Sequence, residues 1–192
     1  MDLTRREALH RLTLIAGGVV SAPAIDAIFS GLRAEPPSPD WIPGTLTRGQ
    51  ADLLAVLVDR IIPPTDTPGA KDAGVHVFID RLLGEWVEPM ERVRFQSGLA
   101  AVDQEMMRTH AVAFGEATAE QQNTLLTRLD DEAARARAAD ADPLPFFATL
   151  KEWTLVGYYT SQAGATQELQ WLAAPGRYDA DLPLQEVGRT WA

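Results

Sequence analysis

The chain has no cysteine. Disulfides, cysteine-attached haem c, cysteine-ligated iron–sulfur clusters and a lipidated cysteine anchor are therefore excluded from it. Lysine is nearly missing too: Lys71 and Lys151 stand alone among the basic residues, and the rest are arginine. The three histidines, His10, His76 and His110, do not fall at metal-ligand spacing. There is no glycine-rich phosphate loop. No stretch alternates apolar and polar residues for long enough to predict a strand. Cations are also in deficit, with a formal net charge of −10 over 192 residues. That balance argues against a nucleic-acid-binding role, which needs clustered cations. It also argues against an anionic membrane surface as ligand for the main body.

What is present begins at the N-terminus. Thr4-Arg5-Arg6-Glu7-Ala8-Leu9 is a twin-arginine pattern, and the apolar run Leu12 to Ala27 follows at once. Arg5 and Arg6 are the export-signal residues. Ala22-Pro23-Ala24 is a candidate cleavage site, with retention of the segment as an anchor the alternative. Gly17, Gly18, Ser21, Pro23 and Asp26 interrupt the run, which is too polar and short for a spanning helix. Twin-arginine export carries folded proteins, whose usual reason for folding early is an inserted cofactor. The remaining residues offer no cofactor site, so the signal and the chain behind it are mismatched.

Three regions are expected: a signal segment over 1–29, a proline-rich linker over 30–46 and a helical domain over 47–192. The length suits one compact domain that buries roughly 70% of its unfolded surface without crosslinks. Thr47-Arg48-Gly49-Gln50 is a capping box. Leu53, Leu54, Leu57, Val58, Ile61 and Ile62 continue it with helical spacing until Pro63-Pro64. Further helices are predicted over 75–86 and 88–110, the latter with Val93, Leu99, Val102 and Met106 on one stripe. A second capping box, Thr118 to Gln121, opens a helix that ends near Ala139. A buried helix is expected from Phe146 to about Ser161, and a loop-rich tail from Gln162. The fold class is all-α, with about five helices.

Candidate chemistry has a plain explanation in each case. His110 and Met106 have the i, i+4 spacing of a haem pair, but a helix-end dipole and core packing account for them. Asp66, Asp72 and Asp80 lack calcium-loop spacing, and turn capping explains Asp66. Asp130-Asp131-Glu132 belongs to an arginine-rich solvated face. Ser161 has neither a glycine elbow nor a histidine partner. Trp153, Tyr158, Tyr159, Trp171 and Tyr178 gather in the final 40 residues, where core packing and a protein–protein interface serve equally well as explanations. The Pro63–Ala70 block is dense in turn chemistry, with fixed φ at its prolines and a permissive Gly69.

Leu57-Val58-Asp59-Arg60-Ile61-Ile62-Pro63-Pro64-Thr65-Asp66-Thr67-Pro68-Gly69-Ala70, followed by Asp72-Ala73-Gly74-Val75 and Phe78-Ile79-Asp80, resembles the gluconate 2-dehydrogenase small subunit (subunit 3) family. Leu150-Lys151, Thr154 to Ser161 and Pro175-Gly176-Arg177-Tyr178 fit the same pattern, so the resemblance spans roughly residues 45–180. It implies an accessory, non-catalytic subunit. The partner would be a large FAD-dependent dehydrogenase of the glucose–methanol–choline type, acting on sugars, sugar acids or polyols. A cytochrome c subunit carrying haem c would often join the complex. The small subunit would escort its signal-less partner through the twin-arginine translocase to the periplasm, at the inner membrane through the complex or an uncleaved signal. The resemblance brings no catalytic, cofactor-binding or metal-binding residue to this chain. Pro64, Thr65, Asp66, Thr67, Pro68, Gly69, Trp153, Tyr158 and Tyr159 are the candidate contacts with the large subunit. The competing reading is a self-contained periplasmic enzyme or binding module unrelated to a flavoprotein.

Overall fold

A computed structural model describes residues 21–170 and 188. Among them lie six α-helices and no strand-built layer. We number them α1 (Ala22–Phe29), α2 (Arg48–Ile61), α3 (Val75–Glu85), α4 (Pro89–His110), α5 (Ala119–Ala138) and α6 (Phe146–Thr160). A 3₁₀ turn, Phe114–Glu116, links α4 to α5, and a single π-helical turn, Gly164–Glu168, follows α6. The all-α expectation stands, but the count of about five is low. The additional helix is α1, which begins inside the stretch read as export segment. Its few apolar residues look like a signal's end in sequence, and only packing makes them a core element. The tail read as loop from Gln162 also starts with the π turn.

Local signals set the boundaries. Both capping boxes form: Thr47 and Gln50 cap the N-terminus of α2, and Thr118 and Gln121 that of α5. Each satisfies two backbone N–H groups that a helix start leaves orphaned. Pro89 sits in the first turn of α4, where a missing N–H costs nothing. Gly74 precedes α3 with φ of +78°, a left-handed conformation. A Cβ there would lie 1.8 Å from the Glu35 carbonyl oxygen, so the linker can cross only over glycine.

Helix α6 is the centre of the bundle. It touches each of the other five helices and the π turn. A helix apolar on most sides must be buried on most sides, and Phe147, Ala148, Leu150, Trp153, Thr154 and Tyr158 all are. Thr154 escapes an unmet polar cost by donating its hydroxyl to the Leu150 carbonyl at 2.7 Å. Phe95 of α4 stacks on Trp153, with ring centres 4.9 Å apart. Val93, predicted on the core stripe of α4, is instead exposed, while Leu99, Val102 and Met106 face inward. With 3.6 residues per turn, the six residues from Val93 to Leu99 leave Val93 about 120° round the helix from Leu99, and it stands about 160° from Phe95.

A polar chain ties three helices at one end. Arg60 Nε donates to Gln122 Oε1 at 2.6 Å, Gln122 Nε2 donates to the Phe114 carbonyl at 2.6 Å, and Phe114 N donates to Asp103 at 2.8 Å. Gln122 is buried, so both of its polar atoms need these partners. Lys151 reaches Asp130 at 2.8 Å across α5 and α6, on a part-exposed surface where such a pair adds little.

Candidate partner interface

The Pro63–Ala70 block leaves α2 and folds back on itself. The Ala70 N–H donates to the Ile62 carbonyl at 2.9 Å, closing the loop at its base. Inside it, Thr65 N donates to the Thr67 carbonyl at 3.0 Å. The Thr65 hydroxyl donates to Asp66 Oδ1, also at 3.0 Å. Asp66 thus serves the turn, as its sequence context suggests. Gly69 is buried, and a Cβ on it would meet Pro64 N at 2.8 Å and Asp59 Oδ1 at 3.0 Å. Desolvation raises the Asp59 carboxyl above its ordinary range, and Asp72 adds to this. Lys71 and Arg60 work in the other direction.

Two bonds fix the loop to the rest of the bundle. The Tyr158 hydroxyl donates to the Pro68 carbonyl at 2.8 Å. The Thr67 hydroxyl donates to Glu168 of the π turn, also at 2.8 Å. The two regions picked out by sequence, the proline-rich block and the end of α6, therefore meet in space. They do not meet as two open surfaces. Trp153 and Tyr158, expected as partner contacts, are buried at 0% and 1% exposure. Trp153 fills the core against Phe95, and Tyr158 reaches the loop from beneath. Gly69 is core as well. Pro64, Thr65 and Asp66 are exposed, Thr67 and Pro68 are half-buried, and Tyr159 is 41% exposed with its ring edge on Tyr158. Arg5, Arg6, Trp171 and Tyr178 lie outside the described residues.

Beside the loop runs a groove of about 920 Å³. Arg33, Glu35, Pro68, Asp72, Thr160 and Gln162 are among its walls. The groove exists because the linker, the loop and the π turn converge there. Ser161, considered as a nucleophile, is a turn residue on its floor. It is buried, it donates to the Tyr158 carbonyl at 2.6 Å, and it accepts from Gly164 N at 3.0 Å. Its hydroxyl is committed in both directions. Among the described residues, no group of three acidic or histidine side chains is arranged to hold a metal ion.

Two residues with structural roles escaped the sequence reading. Asp80, 2% exposed, accepts the backbone N–H groups of Gly44, Thr45 and Leu46 at 2.8, 3.0 and 2.8 Å. An aspartate inside the apolar run Phe78 to Leu83 is the signal that it is paired. Glu152 of α6 is buried and accepts the Ser21 N–H. Burial raises its carboxyl above the ordinary range, against the hydrogen bonds from Ser21 that lower it.

Residues 48–176 match the family model for gluconate 2-dehydrogenase subunit 3. The chain belongs to that family. The matched region runs from the start of α2 through the loop and the whole of α6, and it takes in the groove's walls except the linker side from Arg33 to Pro36. No curated protein and no solved structure matches the chain. For this subunit 3 protein, the family implies association with the other subunits of a dehydrogenase complex. Among the described residues, no helix is long and apolar enough to cross a membrane.

Proposed function

We propose that this protein is the non-catalytic small subunit of a membrane-associated, FAD-dependent sugar, sugar-acid or polyol dehydrogenase. It stabilises the large flavoprotein of the glucose–methanol–choline type and carries it, folded, through twin-arginine export to the periplasm. The flavin belongs to that partner, and haem c belongs to a cytochrome subunit where one is present. The observation that carries this reading is the pairing of an N-terminal twin-arginine pattern with a subunit 3 domain. A chain that carries an export signal for folded cargo, and belongs to an accessory family, makes best sense as the signal-bearing member of a pair.

The face that receives the large subunit is the exposed rim of the loop, Pro64 to Asp66, together with Tyr159. This rim is rigid, because Tyr158 and Glu168 hold it from below. A preformed surface loses little entropy on docking. Replacing Arg5 and Arg6 together by lysine tests the escort role. Flavoprotein dehydrogenase activity should stay in the cytoplasm, and activity that still reaches the periplasm defeats it. Asp66→Arg combined with Tyr159→Ala tests the face. Those residues are solvent-exposed, so the variant should fold normally and co-purify with less large subunit.

A further inference from the structure

The signal segment and the folded domain share residues. Helix α1, Ala22–Phe29, starts at the position where sequence places the signal's end. Ala24 and Ala27 are wholly buried, and Ile25 is nearly so. Ser21, the cap residue of α1, makes two bonds to the central helix. Its backbone N–H donates to buried Glu152, and its hydroxyl accepts from Trp153 Nε1 at 3.0 Å. The linker continues the docking: Leu32 and Ala34 are buried, and Arg33 donates to the Ile28 carbonyl at 2.8 Å.

We infer that residues 21–29 are a permanent core element, and that the bond after Ala24 is not cut in the exported protein. Leader peptidases take their substrate extended, with small side chains at the two recognition positions. Here those positions, Ala22 and Ala24, lie in the first turn of a docked helix, and the Ile25 N–H is already bonded to the Ser21 carbonyl. A cut there would remove both partners that Ser21 supplies. The buried Glu152 carboxylate and the Trp153 indole N–H would lose them together. It would also leave a new ammonium group at Ile25, at the positive end of the helix dipole. Export of a folded chain presents the peptidase with this docked form.

Retention has a second consequence. The run ahead of α1, Leu12 to Val20, is nine residues long, and Thr13, Gly17 and Gly18 interrupt it. A spanning helix needs about 20. The retained leader therefore does not act as a spanning anchor while α1 stays docked, and membrane association falls to the rest of the complex.

This inference takes the export route from the reading above, and the test separates the two. The exported complex, made from the full chain with its partner, is analysed by intact mass and N-terminal peptide mapping. The chain should begin at or before Ser21. A mature chain beginning anywhere from Ala22 onward overturns the inference. Absence of any exported chain sinks the export reading instead. In that case the purified full-length protein still decides the matter, through digestion with elastase, which cuts after small residues. Cleavage after Ala24 should be roughly a hundredfold or more slower than in a free peptide of residues 19–30, since it tracks the population of the opened form. Equal rates overturn the inference.

Discussion

The Tyr158 hydroxyl lies 2.8 Å from the Pro68 carbonyl oxygen. These residues are far apart in the chain, and each belongs to a separate stretch that identifies the family. Their bond makes one unit of the proline-rich loop and the end of the central helix. It also separates support from surface. Tyr158 lies under the loop and shapes it, while Pro64 to Asp66 face outward.

Removing that hydroxyl should loosen the loop without emptying the core. Tyr158→Phe is expected to cost about 1 kcal/mol, the usual net worth of one hydrogen bond. Denaturant titration reads the stability, and hydrogen exchange at Thr65 and Thr67 should speed up. Co-purification of the large subunit should weaken in step with the loop's loss of order. A variant with unchanged exchange in the loop would show that Tyr158 does not hold it.

Asp80 organises the entry to α2 through three backbone donors at once. Asparagine has one acceptor oxygen where the carboxylate has two, and its amide would face a donor with a donor. Asp80→Asn should therefore destabilise by about 3 kcal/mol. The amides of Gly44, Thr45 and Leu46 should lose exchange protection first. Uniform loss across the whole chain would contradict a local pinning role.

Gly74 tests where the linker crosses the start of α3. Alanine there must adopt a φ of +78° and place its Cβ against the Glu35 carbonyl. The left-handed conformation alone costs about 1–2 kcal/mol, and the backbone clash adds to it. Gly74→Ala should lower the Tm by roughly 10 °C or prevent soluble expression. A Tm within a degree or two of the parent's would mean the linker does not cross there.

Acid sensitivity should come from His76. It is buried, its ring edge meets Trp41, and its Nδ1 has no hydrogen-bond partner among the described residues. Desolvation lowers its pKa below 6.5, with Lys71 acting in the same sense and Asp52 and Asp80 opposing. The folded state thus binds fewer protons than the unfolded one below pH 6.5. Stability should fall as pH drops from 6.5 toward the lowered value, by up to about 1.4 kcal/mol per pH unit. Urea midpoints at pH 7.5 and 5.5 check this, and His76→Leu should flatten the dependence.

Glu152 has the opposite sign. Its raised pKa means that the folded state binds more protons than the unfolded one between 4.5 and the raised value. Its contribution is complete below 4.5 and is lost as pH rises through that window. Relative to Glu152→Gln, the parent should gain stability on acidification. A difference independent of pH would show that Glu152 is not desolvated.

Much of the helical plan was legible because its signals are local. The capping boxes at Thr47 and Thr118, Pro89 in a first turn and Pro63-Pro64 at a helix end act within one turn of the chain. The apolar character of Phe146 to Tyr158 announced a buried helix for the same reason. Val93 was misplaced although its spacing marks it: at about 100° per residue it falls on the face of α4 opposite Phe95, Leu99, Val102 and Met106. Trp153 and Tyr158 looked equally suited to a core and to an interface, since both use large aromatic side chains.

By itself, then, the sequence determined the all-α class, the boundaries of five helices, the exclusion of cysteine chemistry and the family resemblance. These rest on short-range periodicity, capping and composition. Tertiary structure alone decided that α1 belongs to the core, that Asp80 and Glu152 serve backbone donors far away in the chain, and that the loop presents Pro64 to Asp66 while hiding Gly69. Each of those depends on which distant groups share a buried volume. Burial, with its demand that every polar atom find a partner, is a property of the packed chain and not of any segment in it.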